Sequence, residues 1–439
     1  MSYEKGKIFI QRGKYKNAIL IFEKLIREKS SDLRANFFLG KIYYNLNNLN
    51  KSLFFYNNCN KIKPKTPNVL FNLALVLQGV GKIEEAKKIY LELISINSND
   101  IQSYYGLAIL NIDNINQNHI KKLKIILRTN KINLYEKSLI NFIFSKIKKK
   151  EMNVKDEISL LNLSHKQNYN SNLKYNNDSN FYYKEIISKH FDKVKFYNNF
   201  KKVKKFNLAN NIFIIGLPRS GSTLVETIIS HNSNKIKSVG EFHAVNKTIL
   251  EQIGPTVLSK NFKFIIDREK FQNSIFEKYE NVQNFTFLDK SLENFFNIDV
   301  ILEFFPNAKF IHTYRNQEDS IIGIYQRLLA ELSWAHNLND IKKYVRQYNI
   351  TIQYFKKKYP NQILDIDLSK LTIEKEKVAK KILEFCNIKY DENFLNFHKN
   401  KNLYNKTNSF LQVRNKIEKY KTNQYLPYYY LLDEFHENK

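Results

Sequence analysis

The residues best placed to do chemistry lie in one stretch, Gly216-Leu-Pro-Arg-Ser-Gly-Ser-Thr223. Gly216 and Gly221 are five apart, the spacing of a P-loop. In such a loop, backbone N–H groups and the positive end of the following helix cradle a phosphate. Ser222 and Thr223 add hydroxyl donors. The nucleoside-triphosphatase pattern puts a lysine before the final Ser or Thr. Here that position is Ser222, and the cation is Arg219 inside the loop. Without that lysine, or a clear acidic Mg²⁺ partner on a later strand, nucleotide hydrolysis is disfavoured. Two other readings stand beside phosphate binding: a strand–turn–helix that holds no ligand, and a kinase-like loop that Mg²⁺–ATP binding would reveal. Glycine usage supports a ligand loop. The chain has 11 glycines, and four of them (Gly216, Gly221, Gly240, Gly254) fall within this one region. Where glycine is otherwise scarce, a retained cluster marks backbone that must turn tightly or approach a ligand.

Elements able to position this loop surround it. Ile212-Phe-Ile-Ile215 is a short apolar run that suits a buried parallel strand, and Leu224 to Ser230 is helical in pattern. Lys309-Phe-Ile-His-Thr-Tyr314 and Ile363-Leu-Asp-Ile366 are two further buried-strand candidates. Strands separated by long helical stretches predict an α/β domain with a parallel sheet flanked by helices.

The first 110 residues follow a different rule. Ala18, Ser52 and Ala86 recur every 34 residues, as do Tyr15, Leu49 and Ile83, then Phe22, Tyr56 and Tyr90, and also Leu39, Leu73 and Leu107. Gly40, Ala74 and Ala108 keep the same beat. A 34-residue period of this kind is the tetratricopeptide signature, an all-α solenoid of stacked helix pairs. Its groove could take a peptide or protein partner, or the arm could serve as a spacer. Residues 111 to about 205 are rich in Asn and Lys and hold no glycine or proline. They read as a helical bridge, with Lys166 to Asp178 as a loop or weak helix. The expected organisation is a repeat domain over 1–125, a bridge over 126–205 and the α/β domain over 206–439.

Composition narrows the class. At 439 residues and 43% hydrophobic content the chain can bury real cores. Two cysteines, Cys59 and Cys386, build neither a disulfide framework nor a cysteine metal site. The start lacks a signal peptide's apolar segment and no run is long enough to span a membrane, so the expected location is cytoplasmic. The net charge of +29 attracts polyanions. Its lysines, however, are spread along the chain and rise together with Asn, Ile, Tyr and Phe, the mark of compositional bias. With no interleaved basic–aromatic stripe, nucleic acid is not an expected partner.

The loop string resembles the 5′-phosphosulfate loop of sulfotransferases. The likeness extends through Phe213 to Glu226, Ser230-His231, Gly240-Glu241, Leu288-Asp-Lys290, Phe305-Pro-Asn-Ala-Lys-Phe-Ile-His312, Ile382 to Cys386 and Ser409-Phe-Leu-Gln-Val-Arg414. Together with the arm, this is similar to the bacterial tetratricopeptide-repeat sulfotransferases, related to tyrosylprotein sulfotransferases. The resemblance implies a donor, 3′-phosphoadenosine 5′-phosphosulfate, transfer of its sulfuryl group to an acceptor, and no metal. It implies that Pro218, Arg219, Ser220, Gly221, Ser222 and Thr223 hold the 5′-phosphosulfate. Glu241 would be the general base, with His243 as a rival and a surface carboxylate as the plain alternative. Lys290 would stabilise the bridging oxygen, unless it pairs with Asp289 at the surface. Arg315 and Arg327 would grip the 3′-phosphate, Ser409 would contact the phosphosulfate, and Gln412 and Arg414 the nucleotide. The family's serine eight residues after Arg315 is Gly323 here, with Ser320 nearby, and its closing Trp-Arg-Tyr segment is replaced by Tyr420 to Tyr430. The acceptor would be a protein, peptide or glycan recognised through the repeat groove. The alternative is a non-catalytic scaffold with a degenerate nucleotide-binding domain.

Overall fold

The structure, a computed structural model, describes residues 2–129, 131–197, 211–254, 257, 262–279, 282, 285–399 and 414–432. Helices α1 (Ser2–Gln11), α2 (Tyr15–Glu28), α3 (Leu33–Asn45), α4 (Leu49–Ile62), α5 (Pro67–Val80), α6 (Ile83–Ile96) and α7 (Ile101–Leu110) stack as antiparallel pairs on the 34-residue beat. The reason is visible in the columns. Phe22, Tyr56 and Tyr90 are at most 1% exposed; Phe22 and Tyr56 lie against Gly6 and Gly40 of their paired helices, and Tyr90 against Gly106 of α7. A Cβ on Gly40 would stand 2.9 Å from the Tyr56 ring, so the helices meet at a distance only small residues allow. Two columns that residue identity hides share conformation instead. Gly13, Asn47 and Gly81 all take positive φ at the turn between paired helices, and Asp32, Thr66 and Asp100 stand at the N-caps of α3, α5 and α7.

The bridge is fully helical where it read as weakest. After α8 (Gln117–Arg128) and α9 (Leu134–Lys150), α10 runs over Val154–Ser171 and a further helix over Leu173–Phe181. The Asn-rich segment is held by its own side chains. Tyr169 Oη donates to Asn177 Oδ1 at 2.8 Å, and Asn176 Nδ2 donates to the Tyr169 carbonyl at 2.8 Å. No helix among the described residues is long and apolar enough to cross a membrane.

Among the described residues seven strands follow: β1 (Lys195–Tyr197), β2 (Ile212–Gly216), β3 (Ile236–Gly240), β4 (Ile265–Asp267), β5 (Thr286–Asp289), β6 (Lys309–Tyr314) and β7 (Ile363–Asp367). Five of them form a parallel sheet in the order β3-β5-β2-β6-β7, and β1 pairs with β4 separately. The sheet is covered on both faces, which explains the unbroken apolar run of β2. Its Ile212 and Ile214 pack with Val225, Ile228, Ile382 and Leu383 on one side. Phe213 and Ile215 join the other core, which continues without a break through Leu139 and Ile143 of the bridge to Tyr90 and Leu73 of the arm. Arm, bridge and sheet are therefore welded by one hydrophobic core.

Candidate functional site

In an open parallel sheet, ligands bind beyond the carboxyl ends of the strands, where the strand order reverses. The sequence candidates gather at that edge: the loop follows β2, Glu241 follows β3, Lys290 follows β5 and Arg315 follows β6. The loop is forced by its backbone. Gly216 has φ +141°, and a Cβ there would lie 2.2 Å from the Thr313 carbonyl oxygen of β6. Arg219 and Gly221 also take left-handed conformations, at φ +68° and +91°. Ser220 shapes the loop from within: its hydroxyl donates to the Leu217 carbonyl at 2.7 Å and bonds Thr313 Oγ1 at 2.7 Å. The helix Ser222–His231 starts directly after the second glycine, aiming its N-terminal N–H groups at the loop.

Lys290 is completely buried, and its ammonium sits 2.8 Å from Glu226 Oε2 and 3.4 Å from Glu241 Oε1. It also reaches Thr223 Oγ1 at 3.5 Å, the last hydroxyl of the loop. Burial opposes its charge, but the carboxylates of Glu226 and Glu241 more than offset that and raise its pKa above the usual lysine range. Surface pairing with Asp289 is thereby ruled out. Asp289 is itself buried, accepting from Tyr279 Oη at 2.6 Å and from the Ser291 N–H at 2.7 Å. Glu226 lay inside the matched string without an assigned role, and its ion pair with Lys290 depends on long-range folding that spacing cannot show. Glu241 keeps 45% of its side chain exposed, so it touches Lys290 and is open to an incoming molecule.

His243, the rival base, is engaged in an ion pair: its Nδ1 pairs with the Glu293 carboxylate, which raises its pKa to about 9.

The second half of the site is cationic. Burial, with the nearby guanidinium groups of Arg327 and Arg315, pulls the Arg219 pKa below its ordinary range, and burial does the same to Arg327. Lys146 of α9 is pulled down by burial and by Arg327 and Lys149. Like charges crowded in this way make a strong seat for an anion. Arg315 is 8% exposed, donates from Nη2 to the Asp319 carbonyl at 2.6 Å, and faces the rings of Tyr420 and Tyr425 at 5.7 and 5.0 Å. Its Nε–H is buried with no partner among the described residues. A ligand oxygen would satisfy that donor, so the residues fit a nucleotide that carries anionic groups at both ends.

Not every candidate joins this cluster. Ser320 is buried, and its hydroxyl donates to the Asn316 carbonyl one turn back in its own helix at 2.9 Å. Arg414 reaches the arm instead, donating from Nη2 to the Gly79 carbonyl at 2.8 Å. Ser409 and Gln412 lie outside the described residues.

Residues 211–392 match the family model described as Sulfotransferase family, and residues 11–93 match that of Anaphase-promoting complex, cyclosome, subunit 3. A curated relative, an uncharacterized protein of Aquifex aeolicus (strain VF5), is 25% identical over 372 residues, 81% of this chain. The chain spans about half (48%) of that relative's length. Among solved structures, the sulfotransferase domain from the Synechococcus PCC 7002 olefin synthase aligns at 17% identity and TM-score 0.37, covering 52% of this chain and 91% of its own. The sulfotransferase domain from the curacin biosynthetic pathway aligns at 16% identity and TM-score 0.33, covering 48% and 88%.

Proposed function

We propose that this chain, a sulfotransferase-family domain joined to a tetratricopeptide-like arm, moves a sulfuryl group from 3′-phosphoadenosine 5′-phosphosulfate to an acceptor hydroxyl. The observation that carries the reading is Lys290: a buried cation held between two carboxylates, one of them open to solvent, against the last hydroxyl of the phosphate loop. The donor, when bound, supplies an activated sulfur–oxygen bond. Glu241 takes the acceptor proton, and its contact with Lys290 fixes it at the mouth of the site. Lys290 sets a positive charge where the leaving oxygen becomes negative. Glu226 holds Lys290 in place and accepts a hydrogen bond from Ser238. The loop N–H groups with Thr223 take the phosphosulfate end, while Arg219, Arg315 and Arg327 hold the phosphates. The arm selects a protein, peptide or glycan acceptor. No metal enters this scheme.

The test is incubation of the full chain with sulfur-labelled donor and a panel of tyrosine peptides, glycans and phenols, in the presence of a chelator. Transfer of label, with release of 3′-phosphoadenosine 5′-phosphate, is expected. Phosphoryl transfer from Mg²⁺–ATP would overturn the reading. One observation favours a second reading, a non-catalytic scaffold: the tail tyrosines already contact Arg315. Nucleotide binding without transfer to any acceptor, and without donor breakdown, would support that alternative.

A further inference from the structure

Gly323 stands where the resembling family has a serine, and on sequence alone it reads as a lost phosphate ligand. The structure gives it another meaning. A Cβ at Gly323 would lie 2.0 Å from Arg315 Nη2 and 3.1 Å from the Tyr425 hydroxyl. Any side chain at this position would therefore push Arg315 from its seat. Glycine here is the condition for that seat.

Three tail tyrosines surround the same arginine, and they are not equivalent. Tyr420 and Tyr429 donate their protons to the two carboxylate oxygens of Asp319, Tyr429 at 2.7 Å, which pins the tail and covers that negative charge. Tyr420 and Tyr425 both accept from Arg315 Nη1, at 3.3 and 3.4 Å, and of these two it is Tyr420 whose proton goes to Asp319. Tyr425 is half-buried. The Arg315 Nε–H is buried and unpartnered among the described residues. An unfilled buried donor is costly, so it points to an anionic acceptor beside Arg315 and the tyrosine hydroxyl it touches.

We propose that the Tyr425 hydroxyl, beside Gly323, binds the donor's 3′-phosphate together with Arg315, in place of a helix serine. The proposal rests on the donor reading above. It makes the tail a part of the nucleotide site and explains why the loss of the serine and the change of tail occur in one chain.

The experiment is calorimetric titration of the full chain with 3′-phosphoadenosine 5′-phosphate and with adenosine 5′-monophosphate, which lacks the 3′-phosphate. Tyr425→Phe should weaken the first by about 10-fold or more, the loss of one hydrogen bond to a charged acceptor, and leave the second within about 2-fold. Gly323→Ser should also weaken the 3′-phosphorylated nucleotide selectively, because it unseats Arg315. Unchanged affinity in Tyr425→Phe, or an equal loss for both nucleotides, overturns the proposal. So does tighter binding in Gly323→Ser, which would make the glycine a lost donor after all. If the unaltered chain shows no preference for the 3′-phosphate, the donor reading itself falls, a result distinct from failure of the tyrosine assignment.

Discussion

Replacing Lys290 with methionine keeps most of the side-chain volume and removes the charge. At an effective dielectric of about 20, its attraction to Glu226 at 2.8 Å is about 6 kcal/mol and to Glu241 at 3.4 Å about 5 kcal/mol, both gross values. Desolvation of the ammonium offsets most of this. The substitution, however, leaves Glu226, whose side chain is only 11% exposed, without its cation. Breaking a buried pair from one side costs about 3–5 kcal/mol. With a urea slope of about 3 kcal/mol/M, the unfolding midpoint should fall by roughly 1–1.7 M. Adding Glu226→Gln removes the orphaned charge and should recover about half of that loss. Turnover separates the roles. Lys290→Met should lower it by about 10²-fold or more, as expected for a lost transition-state contact, and Glu226→Gln should not restore it. A midpoint within 0.3 M (about 1 kcal/mol) of the unaltered chain, or a double variant no more stable than the single, would refute the buried-pair argument.

Other perturbations probe separate parts of the site. Glu241→Gln should keep nucleotide affinity within about 2-fold and lower turnover about 10²-fold, measured by calorimetry and label transfer. Glu293→Gln should remove most of the pH dependence contributed by His243, whose largest raising influence is the Glu293 carboxylate. The folded pKa of about 9 lies above the unfolded value of about 6.5, so the stabilisation is complete below pH about 6.5 and lost as pH rises through 9. The variant should therefore be about 2–3 kcal/mol less stable than the unaltered chain at pH 6 and nearly equal to it at pH 10, read from urea midpoints across pH. Gly216→Ala drives a Cβ against the Thr313 carbonyl oxygen, a backbone group that cannot rotate away. It should cost about 2 kcal/mol or more and lower nucleotide affinity with it, checked by thermal unfolding and titration.

The sequence shows most where the same physics recurs. The solenoid repeats one packing problem, so its aromatic and small-residue columns stand out at a spacing of 34, whereas Gly13, Asn47 and Gly81 share a backbone conformation but not a residue type. Strand β2 is legible because both its faces are covered, which forces an unbroken apolar run. Strands β3 and β5 are short and carry Lys237, Ser238, Thr286 and Asp289, so they have no such run. The candidate residues Glu241, Lys290 and Arg315 come from motif likeness, and the structure sets each directly after a strand end. What could not be read were partnerships between distant segments. Lys290 meets Glu226, Arg414 reaches Gly79, and His165 of α10 bonds His336 at 3.1 Å, fastening the bridge to the sheet domain. The bridge reads as polar because most of its surface is, yet Leu139, Ile140 and Ile143 complete the shared core.

Whether the loop and its arginines hold a 3′-phosphorylated adenine nucleotide for sulfuryl transfer is decided by titrating the full chain with 3′-phosphoadenosine 5′-phosphate in the presence of a chelator, against ADP and against ATP with Mg²⁺. Saturable binding of the 3′-phosphorylated nucleotide, at least about 10-fold tighter than that of either competitor, is expected. Equal or tighter binding of Mg²⁺–ATP would contradict it.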